Sequence, residues 1–259
     1  MPRTALNHFM DDIARAKALV THADGLPQTT AHEMVLRSDI LRSAWMFAVG
    51  ALDAYFCDAY TDIVAAAIIA KSRQHTVQLP EFFLEIRFPV RAILEPYEQN
   101  ENWRWRMAAR QMMERENVIR LAAIQTLFNK FFRPGHRFFG DLLGSWIAHV
   151  DAKKRLFGIT RAGFVAITSD ADRADAIRKA RQQLDDRFRD IFQRRHDCIH
   201  NCDRPRVAPQ SLKLAGTVTK VIQDIEFLVN RCDEQILSEF RQFLLGAGCT
   251  PVTAAQVGY

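Results

Sequence analysis

An all-α fold, an antiparallel helical bundle of four long helices with short helices inserted between the second and third, is what this sequence predicts. Two observations carry it. Apolar residues recur at spacings of three and four over long stretches, and prolines and glycines cluster between those stretches rather than within them. No alternating apolar-polar run flanked by turn residues signals a β-hairpin, and no internal repeat is present. With 259 residues at 48% hydrophobic content, one sizeable core is expected. The expected organisation is a single helical domain over 1–248 and a mobile tail over 249–259.

Leu6, Phe9, Ile13, Leu19 and Val20 predict a first helix over 5–20, ended by Gly25, Pro27 and Thr29-Thr30. From 31 to 72 no proline intervenes, and Leu36, Ile40, Ala44, Phe47, Ala51, Tyr55, Ala59 and Ile63 mark a long helix buried over much of its length. Gly50 and the neighbouring alanines predict a close helix approach. Asp53 interrupts the most apolar part of this helix. A buried acid calls for a cationic partner, and Arg195 is the candidate; a solvent-facing Asp53 is the other reading.

Pro80, Pro89 and Pro96 break the next stretch into short segments, with a helical turn or two over 81–87. Met107, Met112, Val118, Leu121, Ile124, Leu127, Phe128 and Phe131 predict one long helix over 102–132. Its opening, Trp103-Arg104-Trp105-Arg106 with Arg110, interleaves aromatic and basic side chains. That pattern can stack on bases and neutralise phosphates, but Trp residues as core anchors beside a solvated arginine face explain it more simply. A short helix is expected within 138–150, and loop with a helical turn over 151–168. Ser169 or Asp170 can cap a long helix over 171–201, and Ser211 can cap another over 211–245, stopped by Gly246 and Gly248.

The formal charge is +5 and the isoelectric point about 9.1, which suits a polyanionic partner. Arginine supplies 27 of the 35 basic residues, and arginine suits bidentate phosphate contact, although an arginine-biased composition would give the same count. The five cysteines form an odd set, no apolar signal core opens the chain, and the longest uncharged apolar run, Ser43 to Leu52, is far short of the ~20 residues that span a bilayer. A cytoplasmic protein with free thiols and no membrane contact is therefore expected.

Chemistry concentrates at the end of the 171–201 helix, in Arg194-Arg195-His196-Asp197-Cys198-Ile199-His200-Asn201. Leu184, Phe188, Ile191, Arg195, Cys198 and Cys202 follow one apolar seam, so Arg195 stands where an apolar residue belongs. A guanidinium there needs a carboxylate, a subunit contact or an anion-binding cleft. His200 lies about 140° round the helix from Arg195, on the face shared by His196 and Phe192. His196 and His200 also have the i, i+4 spacing of two zinc ligands, with Cys198, Cys202 and Asp203 close in sequence. Against a metal, Cys198 lies on the seam and no second ligand pair follows, so no metal or other cofactor is expected. Glycine-rich nucleotide loops and the Gly-x-Ser-x-Gly elbow are absent, which leaves nucleotide and serine hydrolysis without support.

Arg195-His196-Asp197-Cys198-Ile199-His200 near a bundle-helix end resembles the motif of the HEPN superfamily, and Leu52-Asp53-Ala54-Tyr55-Phe56-Cys57-Asp58 resembles the acidic-then-aromatic stretch of many members. The branch it looks most like is the RiboL-PSP-like group. The resemblance implies a homodimer whose two motif helices face each other across a cleft, and a metal-independent endoribonuclease, with a toxin or antiviral role under a protein regulator such as an antitoxin. In one subgroup a tyrosine two positions after the histidine is modified; position 202 here is Cys, so that regulation is not implied.

Cleavage of RNA by its own 2′-hydroxyl needs a base, an acid and cationic donors for the charged phosphorane. His200 is the candidate base or acid, and Arg195 the candidate oxyanion donor. His196, Asn201 and Asp53 are the supporting candidates, and Arg194, Arg204 and Arg206 the candidates for flanking phosphates. The competing explanation is a helix C-terminus whose basic residues compensate the macrodipole. It accounts for Arg194 more readily than for Arg195. An inert helical module that binds RNA, nucleotide or a protein is the alternative function.

Overall fold

A computed structural model describes residues 4–94, 103–113, 119–140, 142–201 and 215–257, and every regular element among them is helical. In order these are α1 (Thr4–Asp24), α2 (Ala31–Arg73), α3 (Glu81–Leu84), α4 (Val90–Leu94), α5 (Trp103–Met113) and α6 (Leu121–Phe128), which a 3₁₀ turn (Asn129–Phe131) continues. Then come α7 (Leu143–Ile147), α8 (Lys154–Phe157), α9 (Arg161–Val165), α10 (Asp170–Asn201), α11 (Ala215–Gly246) and α12 (Pro251–Gln256).

The 43 residues of α2 are the axis of the molecule. Thr30 caps the helix: its side chain accepts from the Glu33 N–H, and the Glu33 carboxylate accepts from the Thr30 N–H in return. With no proline before Pro80, the helix runs until Gln74 turns extended. Among the described residues α2 alone is long and apolar enough to cross a bilayer, which the count of uncharged residues did not anticipate; 56% of its most apolar window is buried inside the protein. Packing against α1, α5 and α11 accounts for that apolarity. The side of the helix at Gly50 is different. A Cβ there would meet nothing within 4 Å, so the expected close helix approach at Gly50 is not found.

His8 Nδ1 lies 3.3 Å from Asp58 Oδ2 near the start of α1, and Arg37 donates to Asp24 at its end, so α1 runs antiparallel to α2. Tyr55 donates to Asp233 and Gln74 to the Gly248 carbonyl, so α11 runs in the same direction as α2. The antiparallel arrangement therefore does not hold for that directly packed pair. An edge-to-face aromatic cluster joins Tyr55, Phe56 and Tyr60 of α2 to Phe128, Phe131 and Phe138. Such pairs add about 0.5–1.5 kcal/mol each beyond their burial.

Three expectations need correction. The four long helices are α1, α2, α10 and α11, because the single helix expected over 102–132 is broken. Arg120 is extended, with φ −159° and ψ 135°, and begins α6 without a side-chain cap. Both pieces are apolar at helical spacing, so the period crosses the break unchanged. Second, the segment 151–168, expected to be loop with one helical turn, holds two short helices, α8 and α9. Third, the tail expected to be mobile is packed through Val257: Thr250 caps α12 with Pro251 in its first turn, Gln74 accepts from the Thr250 N–H, and Ala254 and Val257 are buried.

The Trp-Arg opening of α5 reverses the roles expected of it: Trp103 is 40% exposed, and the side chain that enters the core is Arg106. Arg106 is buried, donates from Nε to Asp62 at 2.6 Å and sits with its guanidinium 5.0 Å from the Trp103 ring centroid. Burial pushes the Asp62 carboxyl up and Arg106 pulls it back. Glu239 on α11 anchors the segment after the 3₁₀ turn. It is 2% exposed and accepts from the Arg133 N–H, Nε and Nη2, and His136 Nδ1 lies 2.8 Å away.

Burial pushes the Glu239 carboxyl up, but the Arg133 side chain and backbone and then His136 outweigh it, leaving it below the usual value. A lowered folded value gives stabilisation that is full above the ordinary glutamate pKa, ~4.3, and is lost as the pH falls through the folded value. Glu239→Gln is expected to lower the melting midpoint at neutral pH and to flatten its fall in acid. Melting profiles of mutant and wild type that stay parallel from neutral pH to about pH 3 would contradict this assignment.

Candidate nucleic-acid interface

Two stripes of α10 build the site. The first is the apolar seam: Ala180, Leu184, Phe188 and Ile191 are buried, at 1% exposure or less. Trp45 of α2 donates from its indole N–H to the Ile191 carbonyl at 3.1 Å, which fixes the crossing of the two helices. The next seam position is Arg195, half-buried. Asp53 is half-buried on α2, within electrostatic reach of Arg195; burial pushes its carboxyl up and the guanidinium pulls it down. The two charges therefore influence each other, but no ion pair or hydrogen bond joins Asp53 to Arg195 among the described residues.

The second stripe is polar. Arg181, Asp185, Arg189, Gln193 and His196 follow at intervals of four, four, four and three, one line along the helix. Together with Phe192 and Arg195 they form one wall of a cleft of about 660 Å³, whose opposite wall is Ile119, Arg120, Leu121 and Ala122 at the start of α6. Four arginines and His196 thus face a single carboxylate, Asp185. With so few opposing charges the lining of the cleft is net positive, which favours an anion.

His200 is the next step of the same stripe, four residues past His196. The two imidazole rings have centroids 4.4 Å apart, inclined at 43°, and both residues are exposed. In the single chain His200 lies beyond the cleft rather than in its wall. Arg194 is half-buried and not part of the cleft lining. Asn201 ends α10, and Arg204 and Arg206, like Cys202, lie outside the described residues.

The structure therefore brings together Arg195, His196, His200 and Asp53 out of the expected set. It adds Arg120, Arg181, Asp185 and Arg189, which sequence reasoning missed. The polar stripe on α10 was available to find three of them: Arg181, Asp185 and Arg189 lie on the line that leads to His196. Arg120 carried no such signal, because it enters only through the break before α6. Arg181 is held at its place by a strained backbone. Phe139 adopts φ 57°, and its carbonyl accepts from Arg181 while its ring lies 4.8 Å beneath the guanidinium. A side chain in this left-handed region costs about 1–2 kcal/mol.

As metal ligands, His196 and His200 form a pair without a third among the described residues. No group of three His, Cys, Asp or Glu close enough to hold an ion occurs among the described residues. Comparison with protein-family models, curated proteins and solved structures finds no match to the chain.

Proposed function

We propose that the chain is an endoribonuclease of HEPN type that cleaves RNA without a metal, at a cleft completed by a second copy. The observation that carries this reading is the stripe on α10: an arginine-lined cleft runs directly into an exposed imidazole pair, with Arg195 in the cleft wall and Asp53 within its electrostatic reach. The chemistry follows from those positions. The cleft attracts the phosphodiester backbone. Arg195, always charged and set near a half-buried carboxylate, presents donors to the phosphorane oxygens in a place with little water. One exposed imidazole takes the 2′-hydroxyl proton and another protonates the leaving 5′-oxygen.

A single chain carries one Arg195 and one His200, with His200 outside the cleft wall. Two copies with their α10 ends together supply two imidazoles to one cleft, so that one acts as base and its twin as acid. His196, between Arg195 and His200, orients the substrate or the catalytic imidazole. The cellular role as a cytoplasmic toxin or antiviral effector, restrained by an antitoxin or another protein regulator, follows from the resemblance of the Arg195–His200 motif.

The test is incubation of purified protein with total RNA and defined oligonucleotides in EDTA. Fragments ending in 2′,3′-cyclic phosphate are the expected products. Intact RNA in EDTA and also with added zinc or magnesium would overturn the reading. A second reading has its own observation: because His200 stands apart from the cleft wall, the cleft can serve as an inert RNA-binding groove. Retention of RNA with a steep salt dependence and no cleavage would establish that function instead.

A further inference from the structure

The far end of the cleft has a chemistry that the cleavage reaction does not use. Arg189 and His200 are 11 residues apart on one helix, about 16 Å at 1.5 Å per residue. The cleaved phosphate cannot touch both. We propose that the cleft between Arg189 and the first turn of α6 is a subsite for the sugar-phosphate backbone of single-stranded RNA, a few nucleotides away from the scissile bond. This rests on the ribonuclease reading and names the substrate class it acts on.

The donors at this end differ in availability. Arg181 is engaged: Nε donates to Asp185 at 2.8 Å, Nη1 to the Phe139 carbonyl at 3.1 Å, and Nη2 to Gln125 Oε1 at 3.4 Å. It supplies positive potential rather than contact. Arg189 is 68% exposed and donates only from Nη2, to Asp186 at 2.6 Å, among the described residues. Its remaining N–H groups are open to a ligand. Across the cleft Arg120 is exposed, and its side chain has no hydrogen bond or ion pair among the described residues. The Arg120 carbonyl already takes the N–H groups of Ala123 and Ile124, while those of Leu121 and Ala122, both in the cleft wall, have no acceptor among the described residues.

Two arginines and two backbone amides thus line the same cleft from its two walls. All are donors suited to phosphate oxygens, and the helix start adds a partial positive charge. Base edges would require matched acceptors as well, and the carboxylate in this part of the wall, Asp185, is already engaged by Arg181. The contact is therefore with backbone and independent of sequence. The volume suits a strand: about 660 Å³ is the size of a small-molecule pocket and takes part of one strand.

The experiment is a fluorescence anisotropy titration of labelled eight-residue oligouridine against His200→Ala protein at several salt concentrations, with wild-type cleavage assayed in parallel. Adding Arg120→Ala and Arg189→Ala is expected to weaken binding at least tenfold. It should also make the slope of log affinity against log salt shallower by about 1.4, at ~0.7 per single-strand phosphate contact. Arg189→Lys, which keeps the charge, should retain most of the slope. Unchanged affinity and slope in the double variant overturn the subsite even where wild type cleaves RNA. Loss of slope in a protein whose wild type cleaves nothing keeps the subsite and removes the nuclease. No binding by the His200→Ala protein at low salt overturns the subsite outright.

Discussion

Replacing His200 with alanine is expected to lower RNA cleavage by roughly 10²–10⁴-fold, the contribution of one positioned acid or base, without a change in melting midpoint. The two halves of this expectation have separate causes. His200 is exposed near the end of α10, and its recorded contact is the neighbouring His196 ring. Surface substitutions of this kind stay within about 0.5 kcal/mol. The same exposure leaves the imidazole free to reach a ribose hydroxyl or a leaving oxygen supplied from outside the chain. Arg195→Ala is expected to differ in kind. It also abolishes cleavage, but it leaves the half-buried Asp53 without its counter-charge, so the midpoint falls as well. Rates on an end-labelled RNA in EDTA, taken with thermal melts, separate the two variants. Undiminished cleavage by His200→Ala would transfer the acid-base role to His196, which lines the cleft.

What was legible in the sequence was local. The long helices at 31–73 and 170–201 announce themselves through a capping threonine or serine, an uninterrupted period and a proline-free interior. Arg195 was legible for the same reason, since a guanidinium in an apolar seam is a violation visible from one helix alone, and the unexplained acid on the other long helix, Asp53, lies within its electrostatic reach. The opposite wall of the cleft was not legible. It depends on an interruption of the helix at Arg120, and an apolar period that resumes in phase on both sides of the interruption hides it. The terminal segment shows a different failure. Thr250-Pro251 is a helix-start signal, but what holds α12 is Gln74, 176 residues from Thr250, and sequence patterns do not report contacts across that separation.

Asp224→Ala carries the largest expected cost in stability, and it separates structural from chemical use of arginine in this chain. Asp224 on α11 is fully buried. Arg155 of α8 donates from Nε to one carboxylate oxygen at 2.7 Å, and Arg187 of α10 from Nε and Nη2 to the other at 2.9 and 2.8 Å. The pairing ties α8, α10 and α11 at one point. Burial pushes the Asp224 carboxyl up and the two guanidiniums pull it back, so the acid by itself adds little stability. Removing it is another matter, because two guanidiniums then lose their counter-charge. For a buried partner that costs about 3–5 kcal/mol. Arg155 and Arg187 keep 29% and 23% of their side chains exposed, and solvent reduces the cost to about 2–3 kcal/mol, or roughly 5–10 °C in melting midpoint. Replacing all three together, Arg155→Met, Arg187→Met and Asp224→Leu, should restore most of the loss, since apolar packing substitutes for a buried ion pair at little or no cost. At 25 °C the folded fraction of Asp224→Ala should cleave RNA at the wild-type rate, whereas His200→Ala keeps the midpoint and loses the rate. An unchanged midpoint for Asp224→Ala would mean that the surrounding helices, rather than this carboxylate, hold α10 against α11.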